Sequence, residues 1–237
     1  MMTFGPGPLS SALKALIGAN VAVFLAGSVL EWSSITWLPA TLGLRPSAVA
    51  HLEIWRLGTY MFLHAGLFHL LFNMLALWMF GTELERIWGT PYFLKFYFVT
   101  GIGAGVLTVV ASLVFSSLWY QTIIGASGAI YGLLLAYGPM FPDRPIYMYF
   151  VFPIPAKYFV MLMGAIEFYS TLNDNNGVAS LTHLGGLVVA YLFLKGGRIH
   201  PLSEAKYWYL RWKMARTRKK FDVYSGGRAN DWNRRVH

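Results

Sequence analysis

Residues 121–141 read QTIIGASGAIYGLLLAYGPMF, a run with no charged side chain and with Ser127 set between Gly125 and Gly128. A span of roughly 20 apolar residues crosses a bilayer as a helix. Five further stretches of similar character, at about 11–30, 57–80, 96–119, 146–170 and 177–194, accompany it. The expected fold is therefore all-α, a polytopic membrane protein built as a bundle of six transmembrane helices. Pro153, Pro155 and Lys157 interrupt the fifth span. Its helix is expected to start near Pro155, because proline suits a first turn better than a helix interior. The segment 31–56 is too long for a tight turn. With Trp32, Trp37, Trp55 and Arg56 it reads as an interfacial loop with its tryptophans at headgroup level.

Composition points the same way. Of 237 residues, 56% are hydrophobic and 12% charged, and the mean hydropathy is +0.49; a soluble domain carries about 25% charged residues. Cysteine is absent, which excludes disulfides, thiolate-ligated metals and a cysteine nucleophile. Met1 to Gly5 carry no basic stretch, so the first span is expected to remain as a membrane helix and not to be cleaved as a signal peptide. The net charge of +9 is concentrated: residues 195–237 hold 12 Lys/Arg against Glu204, Asp222 and Asp231, and the rest of the chain balances. This divides the chain into a membrane-embedded domain, 1–196, and a basic tail, 197–237. In the tail, Ala205, Trp208, Tyr209, Trp212 and Ala215 recur at helical spacing, flanked by Lys206, Arg211, Lys213, Arg216 and Lys219. That is the pattern of an interfacial helix. Beside membrane spans such a tail is expected to meet anionic lipids of the bilayer and no nucleic acid. The positive-inside rule puts both termini in the cytoplasm, so spans two, four and six all enter from the outer face.

Polar side chains inside a span face the bundle interior and are functional candidates. Span two holds His64, His69 and Asn73, span four Ser127, span five Glu167 and span six His183. Taken singly, each has a plainer reading. A serine in a membrane helix is usually a small packing residue, an isolated histidine usually a helix contact, and Gly128 with Gly132, or Gly101 with Gly105, a packing face. The conjunction changes the weighing. Ser127 and His183 each lie about six residues into a span entered from the same face, at a depth of roughly 9 Å. Gly128 and Gly132 on span four, facing Gly186 and Ala190 on span six, would let the two backbones approach. A serine and an imidazole so matched are the beginning of a nucleophile–base pair. His69 and Asn73, four apart, project together and could join the Ser127 N–H in holding an oxyanion. Tyr131, one turn beyond Ser127, could pack its ring on His183. Nothing near His183 reads as the orienting acid of a triad, so a dyad is expected, and Glu167 receives no role.

Trp55-Arg56, His64-x4-His69-x3-Asn73, Gly125-Ala126-Ser127-Gly128 with Tyr131, and His183-x-Gly185-Gly186 together resemble the rhomboid intramembrane serine proteases. The similarity runs from about residue 11 to 195. It implies a six-helix core with Ser127 as nucleophile and His183 as general base. It further implies an oxyanion hole of His69, Asn73 and the Ser127 N–H, with Tyr131 supporting His183. Arg56 and Glu85 match positions best treated as structural, and His64 takes no catalytic part. Two departures are visible: Thr182 stands where alanine commonly precedes the histidine, and Ala190 where a second glycine is frequent. Both are expected to loosen the packing of spans four and six.

The resemblance implies an endopeptidase that cleaves transmembrane segments of other membrane proteins near the outer face, with no metal or other cofactor. A bacterial inner membrane is the expected location. A catalytically inactive rhomboid-like binder would be marked by loss of Ser127 or His183, and both are present. A small transporter is disfavoured because the polar groups cluster near one face, without paired broken helices. A zinc protease is disfavoured because His64 and His69, five apart, would diverge by about 140° on a helix, and no His-Glu-x-x-His pattern occurs. The polar segment 170–177 is expected to form a mobile cap over the site, with span five as the side where substrate enters.

Overall fold

The computed structural model describes residues 7–32, 37–148, 152–173 and 178–196. The chain divides into two units, Met1–Lys195 and Gly196–His237. The elements below belong to the first, apart from the last residue of the final helix; the expected interfacial helix of the tail lies outside the described residues, as do residues 174–177 of the expected cap.

The order of elements is α1 (Ser11–Trp32), three short helices α2 (Trp37–Leu42), α3 (Pro46–Ala50) and α4 (Arg56–Thr59), a 3-10 turn at Tyr60–Phe62, α5 (Leu67–Trp88), α6 (Thr90–Ser112), α7 (Ser127–Met140), strands β1 (Pro145–Met148) and β2 (Phe152–Pro155), α8 (Ala156–Asn173) and α9 (Val178–Gly196). Among the described residues four helices are long and apolar enough to cross a membrane: Ser11–Leu30, Leu67–Trp88, Thr90–Ser112 and Ala179–Gly196. The other two expected spans fall short of that measure. α7 has 14 residues, and α8 carries Lys157 and Glu167 among its 18.

The boundaries differ from the hydrophobic runs for local reasons. The expected second span, 57–80, begins instead at Leu67, because its first part is consumed by α4 and the 3-10 turn, and Gly66 caps the new helix. α5 and α6 are joined through Gly89 alone, whose φ of 77° lies in the left-handed region, and Pro91 opens the next helix. The expected fifth span starts as helix only at Ala156, and before it an antiparallel ribbon pairs Pro145 with Pro155 and Ile146 with Ile154. Pro145, Pro153 and Pro155 lack the N–H that a helix interior needs but are compatible with an edge strand. The fold is thus mostly helical with one small ribbon, and not wholly α as expected. Residues 170–173 end α8 as helix and do not belong to a loop.

The described part of the expected first loop, 37–56, is likewise built of short helices more than loop. Arg56, 4% exposed, donates to the Gly43 carbonyl and the Ala40 carbonyl, each at 2.7 Å, and to Glu53 Oε2 at 2.6 Å. One guanidinium therefore fixes the path of the segment. Glu85 plays a comparable part at the other end, accepting from Ser10 Oγ at 2.5 Å and Thr90 Oγ1 at 2.6 Å. This ties the starts of α1 and α6 to the end of α5. Glu83 accepts from Tyr137 Oη at 3.0 Å and pairs with Arg144 at 2.7 Å.

α6, α7 and α9 pack through small residues. A Cβ on Gly186 would overlap the Gly128 carbonyl, so these two backbones touch as the sequence suggests. Gly132, however, faces Thr100 of α6 and not α9. Thr182 does not loosen this region: its hydroxyl, buried, lies 2.9 Å from that of Thr108 on α6. Ala190 is fully buried. Leu25, Val29, Phe68, Phe72, Val110 and Leu192 are exposed, an apolar exterior suited to lipid and not to water.

Gly186→Ala should lower stability by about 1–3 kcal/mol through overpacking, read as a fall in the thermal midpoint in detergent. Gly18→Ala, on an exposed turn of α1 with nothing within 4 Å, should be neutral or stabilising by up to roughly 1 kcal/mol. Equal responses would mean that the α7–α9 contact is not close.

Candidate active site

The site is organised by the stretch before α7. Ile123 pairs in both directions with Leu44, N–H to carbonyl at 2.8 and 2.9 Å, and the Gly125 N–H donates to the Tyr60 carbonyl at 2.9 Å. Gly125 has φ of 124°, a conformation that a residue with a Cβ adopts only under strain. A Cβ there would also lie 2.8 Å from His69 Nε2. The chain then turns into α7 with Ser127 as its first residue, not six residues into a helix as the run of apolar residues suggested. The residues before it approach α7 as non-helical chain. A first-turn position leaves the Ser127 N–H without an intrahelical acceptor, at the positive end of the helix dipole.

His183 stands on α9, five residues beyond its start at Val178. Its Nε2 is 2.7 Å from Ser127 Oγ. The Tyr131 ring stacks on the imidazole, with centroids 4.4 Å apart and planes 12° from parallel. On the far side of the ring, Glu167 Oε1 lies 3.0 Å from His183 Nδ1, close enough for an ion pair though not aligned as a hydrogen bond. Tyr131 Oη donates to the same Glu167 oxygen. The expectation that no acid lies near His183 is therefore corrected. The sequence did carry a signal. Glu167 is six residues before the end of α8, and His183 is five after the start of α9. Two helices joined by a short connection place such residues at one level, by the depth count that paired Ser127 with His183.

His69 and Asn73 both lie in α5, one turn apart. The His69 ring sits against Gly125, and its Nδ1 faces the Ala65 N–H at 3.4 Å. With Nδ1 as acceptor, the neutral ring carries its proton on Nε2, toward the Gly125–Ser127 turn. The Asn73 amide donates to the His69 carbonyl at 2.9 Å, and its second N–H remains available. His64 precedes α5 and is not on a helix, so the expected 140° divergence does not apply; its ring meets that of His69 edge to face, 5.0 Å between centroids. A cavity of about 250 Å³ beside it is lined by Phe24, Leu38, His64, Gly66 and Ile124 among others. Among the described residues no group of three or more His, Asp or Glu side chains could hold a metal ion.

Apolar helices around a Ser127–His183 contact, with a stacked tyrosine and a polar side chain cluster, are those of a polytopic membrane protein. The chain belongs to the rhomboid family: the rhomboid domain matches residues 51–197. The chain is 31% identical over 177 residues to "Putative rhomboid protease YdcA" of Bacillus subtilis, covering 75% of this chain and 83% of that one. It is 39% identical over 146 residues to "Rhomboid protease GluP" of the same organism, covering 60% and 26%. It is 28% identical over 204 residues to "Rhomboid protein 1, mitochondrial" of Saccharomyces cerevisiae, covering 76% and 51%. The chain thus spans about half the length of the yeast relative and about a quarter of GluP.

Gly125→Ala should cost roughly 1–3 kcal/mol for the backbone conformation alone and should displace His69. Thermal unfolding in detergent reads the first effect; an unchanged midpoint would show that the turn relaxes without strain.

Proposed function

We propose that this chain is an intramembrane serine endopeptidase that cleaves transmembrane segments of other membrane proteins near the outer face. The observation that carries this reading is the 2.7 Å contact of Ser127 Oγ with His183 Nε2 at a helix N-terminus. Ser127 Oγ attacks the scissile carbonyl carbon while its proton passes to His183 Nε2. The carbonyl oxygen becomes an oxyanion, held by the Ser127 N–H, His69 Nε2–H and the Asn73 amide. Collapse breaks the C–N bond, and His183 returns the proton to the leaving amine. Water then attacks the acyl-enzyme, with His183 taking its proton and restoring Ser127. Tyr131 supports His183, and Gly125, Gly128 and Gly186 give the backbone its close approaches.

A transmembrane substrate satisfies its own backbone groups, since lipid offers no partners. Several residues must leave the helix before Ser127 can reach a carbonyl, which favours segments with glycine, proline or small residues near their outer end. α7 and α8 complete a six-helix core in this reading. At 1.5 Å per residue α7 spans about 21 Å, enough because the non-helical approach covers the remaining outer part. The side of α8 serves as substrate entry. The membrane is a bacterial inner membrane with both termini cytoplasmic, and the basic tail meets its anionic lipids.

Ser127→Ala and His183→Ala should each reduce cleavage of a membrane-spanning substrate to background, without additive loss in the double variant, because the two act as a unit. Asn73→Ala should lose on the order of 10²-fold or less. Near-wild-type turnover in either single variant of the dyad would leave an inactive, segment-binding member of the family as the better reading. Protease added to the outside of intact cells should spare residues 200–237; cleavage there would reverse the orientation.

A further inference from the structure

We propose that Glu167 is the positioning acid of His183: it holds the ring proton on Nδ1 and compensates the charge the ring acquires when it takes the Ser127 proton. The inference rests on the peptidase reading for its consequence, though not for its geometry. For Nε2 to accept from Ser127 Oγ, a neutral imidazole must carry its proton on Nδ1. Nδ1 is buried and has no aligned hydrogen bond among the described residues. The group facing it is Glu167 Oε1 at 3.0 Å. In the opposite tautomer Nε2–H would donate to Ser127 Oγ, and Nδ1 would turn its lone pair toward the Glu167 carboxylate. A carboxylate beside Nδ1 disfavours that arrangement.

Charge gives a second argument. Transfer of the Ser127 proton creates an imidazolium in a site walled by apolar side chains, where an isolated charge is costly. A carboxylate in contact with it offsets that cost at the moment it arises. Glu167 is itself 8% exposed, and a carboxylate at such a position in a membrane protein needs partners. Its partners are the Tyr131 hydroxyl, His183 and Ser180. Tyr131 therefore contacts both base and acid, with its ring on one and its hydroxyl on the other. The alternative is that Glu167 only fastens α8 to α7 through Tyr131. Glu167→Gln separates the two, since the amide oxygen still accepts from Tyr131 but carries no charge.

The test uses the full chain in detergent, as wild type, Glu167→Gln and Glu167→Asp. Nitrogen-15 NMR of histidine-labelled protein, with His183 assigned by difference from His183→Ala, reads the tautomer. Wild type should carry the proton on Nδ1, and Glu167→Gln should show a mixture. Turnover of a membrane-spanning substrate should fall by roughly 10²-fold in kcat for Glu167→Gln, with KM within about twofold and the thermal midpoint little changed. Glu167→Asp should recover to within about tenfold of wild type. A wild-type His183 protonated on Nε2, or a Glu167→Gln variant with the wild-type tautomer and kcat, overturns the proposal. Cleavage by wild type that survives Ser127→Ala would instead remove the peptidase reading, and the tautomer measurement would still decide the role of Glu167.

Discussion

Peptide groups that leave helical geometry within an apolar body must find partners elsewhere in the protein, because lipid supplies none. The approach to α7 meets that constraint by pairing with the first loop. Leu44 exchanges two hydrogen bonds with Ile123, the Ser47 N–H donates to the Trp119 carbonyl, and Gly125 donates to Tyr60. Arg45 adds side-chain bonds to Thr122 Oγ1 at 3.0 and 3.2 Å. The loop can serve only because it is itself ordered, and Arg56 orders it from within by holding the Ala40 and Gly43 carbonyls. The position of Ser127 thus rests on a residue far from it in sequence, through a short series of backbone bonds.

The second determinant is the absence of side chains where α7 meets its neighbours. Gly128 and Gly186 bring two helices into backbone contact, and Gly185 lies against the Ala104 backbone of α6. Within this close packing a hydroxyl pair, Thr108 with Thr182, satisfies itself across α6 and α9. Steric fit and hydrogen bonding therefore act together one residue from His183, and small shifts of α9 would be felt directly at the Ser127 contact.

How much of this could be read from the sequence follows from the range of the interactions. Ser127, Tyr131 and His183 were legible because their relation depends on helix pitch and on two helices packed through small residues, both local properties. Helix starts were less so: an apolar residue at 60 or 120 serves equally in a membrane helix, a 3-10 turn or a buried loop, and only Gly66 and the loop contacts decide. The ribbon of β1 and β2 was signalled by its prolines, but Pro153 and Pro155 were read only as interruptions of a helix. Gly132 was given to the wrong neighbour because a glycine marks a close approach without naming the partner. Glu167 was seen as a costly polar residue but not connected to His183, since its partner sits on another helix and the level of each residue had to be counted from the turn between them.

The single-residue joint at Gly89 has a consequence for how such a chain is assembled. With α5 ending at Trp88 and α6 beginning at Thr90, no linker exists that could let one helix enter the bilayer and wait for the other. Residues 67–112 form one helical hairpin, its corner bearing Glu85, Arg86 and Thr90. Those polar groups would be dragged through hydrocarbon if the hairpin entered corner first by its own partitioning. The corner therefore has to remain at one bilayer surface, where Glu85 also holds Ser10 at the start of α1.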